Sequence, residues 1–312
     1  MIAKWNGSSR PLIVLGVVWV MAGSSGASPG VSEGLLAWYK ADEGVFTTET
    51  GSVPSGDGDP VGRWEDLSGN GWHLRRSTDA ERPTLRQSGS PSGKPELHFD
   101  GDDYLLLSTG GYGGTSVYFP AGTRIDTVFV VFRLDESVTP SSTARLLFAT
   151  SGQNLINSVM FGETTSLFTD EIMTVRDVGW DSWAGGSWKN MASGVTGGNL
   201  LADDYHFLCI THTGSSFDIR TRLGGDNLTN VNSGSPDGWS DFNVHSDTNA
   251  VPEHLTTFRI GGVIEGNIGR FKGHISEIIL YETALDSEAR GLVEAYLKEK
   301  YQPNRATLLS IR

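Results

Sequence analysis

The chain has 312 residues, 38% of them hydrophobic and 20% charged, enough apolar mass to bury a sizeable core. Its formal net charge of −13 argues against nucleic acid and anionic membrane surfaces as partners. The 40 glycines, scattered among many short apolar runs, point to an all-β fold with many turns.

At the N-terminus, Lys4 and Arg10 precede the apolar run "PLIVLGVVWVMA" and the small residues of "SSGAS". That order is a signal peptide over residues 1–27, with cleavage after Ala27. The run is short for a bilayer span, and an uncleaved anchor is the alternative. The expected location is therefore secreted, extracellular or periplasmic, with no membrane contact after cleavage. Residues 28–33 form a short linker, residues 34–303 a single domain and residues 304–312 a C-terminal tail. The one cysteine, Cys209, excludes an intramolecular disulfide.

Within the domain, "TTETGSVPSGDGDPVG" (Thr47 to Gly62) is a loop by composition. Strand-like runs follow: "TVFVVFRL" from Thr127, "ARLLFAT" from Ala144, "SVMFGE" from Ser158 and "EIMTVRDV" from Glu171. After them come "YHFLCITHT" from Tyr205, "SFDIRTRL" from Ser216, "TFRIGGVI" from Thr257 and "GHISEIILYE" from Gly273. Several alternate with period two, as half-buried antiparallel strands do. One helix closes the domain. Asp286 caps "SEARGLVEAYLKEKY", with Glu288 in the first turn and Lys298 and Lys300 in the last. Ala289, Leu292, Val293, Tyr296, Leu297 and Tyr301 follow helical spacing and predict one core-facing stripe.

The segments "GLLAWYKADEGV", "VGRWEDLSGNGWHL", "ERPTLR", "PELHFDGDDYLLL", "FRIGG", "FKGHISEIILYETAL" and "EAYLKEKY" occur in that order. As a group they resemble the laminin-G-like, concanavalin A-type lectin/glucanase jelly-roll domains of bacterial secreted proteins, over Gly34 to Gln302. The resemblance implies an antiparallel two-sheet β-sandwich with a short C-terminal helix, and it assigns Trp38 and Trp64 to the framework. Its functions are several: glycan binding, adhesion and, in enzyme branches, glycan hydrolysis or lysis. Fold does not choose among them.

The resembled glucanases carry Glu-x-Asp-x-Glu on one strand, where alternate carboxylates share a face; no such run occurs here. Glu277 and Glu282 are an odd number of positions apart and face opposite ways on a regular strand. His206, Cys209 and His212 recur at intervals of three, which on a strand splits them between faces and argues against a shared zinc. His245, Asp247 and His254 fall in a loop-like region and offer a second metal option.

"HFDGDDYLLLS" sets Asp100, Asp102 and Asp103 before a leucine run. Asp100-Gly101 is a turn signal, and the flanking aspartates can cap that turn. Calcium is the alternative, held by Asp100, Asp102 and Asp103. Trp180, Trp183 and Trp188 lie in "VGWDSWAGGSWKN", and Trp239 in "SPDGWSDF". Loop indoles can stack on a sugar face, with Asp181, Asn190 and Asp241 (Lys189 also nearby) bonding its hydroxyls. They can also plug the ends of the core. The expectation is a lectin-like protein that binds an extracellular glycan, with calcium as a candidate cofactor. A polysaccharide-degrading glycoside hydrolase or lyase is the alternative, and an adhesion or matrix protein binding a protein partner the second.

Overall fold

A computed structural model describes residues 29–107, 119–120, 123–137, 145–151, a series of strands and short stretches between 158 and 261, and 271–302. The described residues form two antiparallel sheets of nine strands each, a two-stranded ribbon and one C-terminal helix. This is the predicted β-sandwich.

The first sheet is organised by its longest strand, Lys272–Tyr281. One edge of that strand pairs with Thr127–Leu134 along its length. The other edge is shared. Lys272 to Ile275 pair with Glu96–Asp100, and Glu277 to Tyr281 pair with Leu35–Lys40. Beyond Thr127–Leu134 lie His206–His212 and Ser216–Arg222. The second sheet runs from Val195–Thr196 through Glu171–Arg176, Ser158–Phe161, Arg145–Ser151, Thr257–Ile260 and Leu105–Leu107 to the short strands of the N-terminal region.

Side-chain alternation builds the core between the sheets. Leu97, Phe99, Val128, Val130, Phe132, Leu208, Ile210, Ile275, Ile278 and Leu280 point inward from the first sheet. They meet Trp64, Leu74, Leu105, Leu107, Leu147, Phe258 and Ile260 from the second. Trp64 is fully buried, and its indole N–H donates to the Lys40 carbonyl at 2.8 Å. The "EDLSGNGW" segment is tied down by Asp66, which accepts from the Trp38 N–H (2.9 Å), the Ser68 N–H (2.9 Å) and the Trp72 N–H (3.0 Å). That part of the family-like pattern thus serves the framework.

The helix spans Ser287–Tyr301, and Asp286 accepts from the Ala289 N–H at 2.9 Å as its cap. It covers part of the outer face of the first sheet. Val293, Leu297 and Tyr301, spaced by four, pack there on Trp38, Phe129, Val131, Phe207, Cys209, Ile279 and Tyr281. Leu292 departs from the predicted stripe and is 52% exposed. Each residue advances about 100° around a helix, so a seam centred on Val293 leaves Leu292 on its flank. Cys209 is buried, as is His206, which faces inward against Phe132 at a ring distance of 5.1 Å. The two therefore stand on opposite faces of their strand. Among the described residues, no helix is long and apolar enough to cross a membrane.

Candidate functional site

The helix leaves the Glu96–Asp100 half of the outer face uncovered by its stripe, and a polar cluster occupies it. The strand "ELHFD" turns Leu97 and Phe99 into the core and so turns Glu96 and His98 outward. Phe132 and Leu134 point inward in the same way, leaving Arg133 outward, with Asp135 just past the strand end. On the central strand Ile275 points in and His274 out. The ladder places His274 directly between His98 on one side and Arg133 on the other. Gly273 makes this approach possible, because a Cβ there would collide with the Arg133 carbonyl oxygen.

Asp135 bridges the two imidazoles. His98 Nε2 lies 2.9 Å from Oδ2 and His274 Nε2 lies 3.1 Å from Oδ1. The imidazole rings stand 4.6 Å apart at 38°. Glu96, 1% exposed, accepts from two nitrogens of the Arg133 guanidinium, Nε at 3.1 Å to Oε2 and Nη2 to Oε1. His274 Nδ1 lies 3.0 Å from Glu96 Oε1, an ion-pair distance, yet that buried atom makes no well-directed hydrogen bond. His98, Asp135 and His274 remain 22%, 20% and 16% exposed at the side chain, which leaves them reachable from solvent.

The cluster fixes its own charge state. Burial would raise the Asp135 carboxyl, but bonds from His274 and His98 outweigh it and hold the carboxyl well below the usual range. Burial opposes ionisation of Glu96 too, and His274 and Arg133 again draw it down. For His274, burial favours the neutral ring, and the Asp135 carboxylate together with the adjacent Glu96 carboxylate reverses that and raises its pKa.

Sequence alone does not single out these five residues. Their signal was present as alternation in Glu96-x-His98, Arg133-x-Asp135 and Lys272-x-His274, but an ordinary solvent-facing strand shows the same pattern. Asp100, Asp102 and Asp103 of "HFDGDDYLLLS" lie at a turn. Gly101 has φ of 111°, in the left-handed region that favours glycine. Asp103 accepts from the Asp100 N–H at 3.0 Å, and Asp100 accepts from the Asp102 N–H at 3.2 Å. A carboxylate oxygen from each of Asp100, Asp102 and Asp103 lies within 4.8 Å of the others. Three converging acids suit the hard oxygen donor set of calcium, which needs six to eight oxygens in all. Burial first and then the charges of Asp100 and Asp102 push Asp103 up to about 7, against the lowering effect of its backbone hydrogen bond.

The other expected residues are less informative. Trp180, Asp181, Trp183, Trp188, Asn190 and Trp239 lie outside the described residues, as do the signal segment, Asp247 and His254. The backbone of Asp241 pairs with Arg220 at a sheet edge. Glu277 is fully buried beneath the helix and Glu282 is exposed.

No protein-family model matches the chain, and no curated protein sequence matches it. Solved structures do resemble it. An arabinofuranosidase complexed with arabinofuranosyl-α-1,2-xylobiose has a TM-score of 0.50 and 13% identity, covering 78% of this chain and 51% of that one. A GH54 α-L-arabinofuranosidase soaked with a cyclic sulfate inhibitor gives 0.50 and 12% over the same shares. Domain 4 of a GH43 extracellular arabinanase from Geobacillus stearothermophilus, in complex with arabinotriose, gives 0.44 and 13% over 83% and 98%. The chain spans about half the length of the two arabinofuranosidases. At such identities the likeness speaks for the fold alone, an all-β sandwich, and it does not single out the laminin-G-like group.

Proposed function

We propose that the chain is a secreted carbohydrate-binding β-sandwich that holds an extracellular glycan without cleaving it. The observation that carries this reading is the half-buried His98–Asp135–His274 cluster with Glu96 and Arg133 behind it. Donors and acceptors sit there on a rigid sheet, and a sugar hydroxyl offers both in return. Hydrolysis by a carboxyl pair needs one acid kept protonated beside an ionised partner. Glu96 and Asp135 are both drawn toward the ionised form, which favours hydrogen bonding over acid catalysis. The arabinofuranosidase of similar fold, solved with an arabinofuranosyl-xylobiose, supports a glycan as the ligand class.

In this reading Trp180, Trp183, Trp188 and Trp239 supply stacking surfaces, and Asp181, Asn190 and Asp241 supply polar contacts. Calcium at Asp100, Asp102 and Asp103 fixes the turn at the rim. Secretion follows cleavage after Ala27, and intact Met1 on the mature protein, seen by mass spectrometry, would refute it. A glycan array followed by a reducing-sugar assay on its hits tests the whole. Retained glycan with no new reducing ends is expected; released reducing ends would turn the reading to a hydrolase. Trp183→Ala and Trp188→Ala should abolish binding at nearly unchanged stability. A loss of about 3–5 kcal/mol in stability would mark them as core plugs instead.

A further inference from the structure

We infer that His98, Asp135 and His274 form a binding site for one divalent transition-metal ion of the zinc class. Each offers one ligand atom, and the three atoms lie within 4.8 Å of one another. Tetrahedral zinc with its usual bond lengths spaces its ligand atoms at roughly 3.3 Å. The two imidazole nitrogens already stand 2.9 Å and 3.1 Å from the Asp135 oxygens. Small side-chain rotations therefore suffice to admit an ion.

The donor set selects the metal. Two imidazoles and one carboxylate suit zinc, cobalt or nickel and are poor for calcium, which takes oxygen ligands. A three-residue set leaves a fourth position open, as metals that meet an outside ligand require. The surroundings also match. Glu96 stands behind the Nδ1 side of His274, and Arg133 anchors Glu96. A carboxylate behind a ligating imidazole fixes ring orientation and raises ligand basicity. Ligation uses the Nε2 lone pair of each neutral ring, so a proton held there shifts to Nδ1 or, from a doubly protonated ring, leaves to solvent.

This inference goes beyond the glycan reading, and its test needs no sugar. The full mature chain is titrated with Zn(II) by calorimetry and with Co(II) by visible absorption. One equivalent should bind, with a cobalt spectrum of low coordination number, and zinc should raise the melting temperature. His98→Gln, His274→Gln and Asp135→Asn should each weaken binding at least tenfold. Glu96→Gln, which touches no ion, should weaken it about 10- to 100-fold. The double variant His245→Gln, His254→Gln should bind as the wild type does. Circular dichroism and metal-free melting curves establish that each variant is folded. If a ligand variant fails to fold, the wild-type cobalt spectrum and the double variant still decide. No bound ion, or undiminished affinity in folded His98→Gln and His274→Gln, overturns the site, and so does loss of binding in the double variant.

Discussion

The outer face of the first sheet carries two buried glutamates, and its two halves treat them differently. Glu277 lies under the helix, fully buried. It accepts from the Trp38 indole at 2.6 Å, the Tyr296 hydroxyl at 2.9 Å, the Tyr301 hydroxyl at 2.8 Å and Lys300 at 2.8 Å. Every donor comes from the helix or the neighbouring strand, so the carboxylate fastens the helix to the sheet. Burial first, and then the Glu277 charge, push both phenols up and keep them protonated donors. Glu96 sits in the other half with Arg133 and His274 as partners, and beyond it three ligating side chains stay partly exposed. A closed polar network whose partners are all internal is structural; one that ends at reachable nitrogen and oxygen atoms can take a ligand.

The sharpest way to break this contrast is Glu277→Ala. It takes one shared acceptor from the Trp38 indole, two tyrosine hydroxyls and charged Lys300, which keeps only Asp42, and should cost about 3–5 kcal/mol in urea unfolding. Asp135→Asn in the open half should cost about 1 kcal/mol; equal costs would erase the distinction. Trp38→Phe removes a single donor to Glu277 and should fall between, at about 1–3 kcal/mol.

The rim of the open half adds a pH signature. Asp103 has a folded pKa of about 7 against an ordinary 3.8. The folded state therefore holds a proton that the unfolded chain has lost, and stability falls as pH rises from about 4 to 7. Glu96 and Asp135, drawn the other way, contribute stability above their unfolded pKa values that is lost as pH falls through the folded ones. Asp103→Asn should remove the decline between pH 4 and 7 and leave the acid limb intact. An unchanged profile in that variant would place the decline elsewhere. The smallest effect expected is calcium's. If the ion binds Asp100, Asp102 and Asp103, chelator should lower the melting temperature by a few degrees. An unaltered melting curve would dispose of a tight calcium site there.

Much of the architecture was legible in the chain. Thr127–Leu134 and the capped helix were legible to the residue, and His206–His212 and Ser216–Arg222 within one residue at either end. Alternation, turn residues and caps act over a few neighbours, so a sequence displays them directly. What tertiary structure alone decided is which polar faces meet. His98 and His274 are 176 positions apart, and the register of the central strand makes them neighbours. The irregularity between Ile275 and Glu277 shifts the alternation by one, so His274 and Glu277 share the outer face although their spacing is odd. A one-residue bulge of this kind leaves little trace in composition or periodicity, because it is fixed by pairing with strands distant in the chain. The sequence determined the longer strands from Thr127 onward, the helix and the sandwich class; long-range pairing placed Leu35–Lys40 and Glu96–Asp100 in the first sheet and decided that two histidines and an aspartate converge on one face of it.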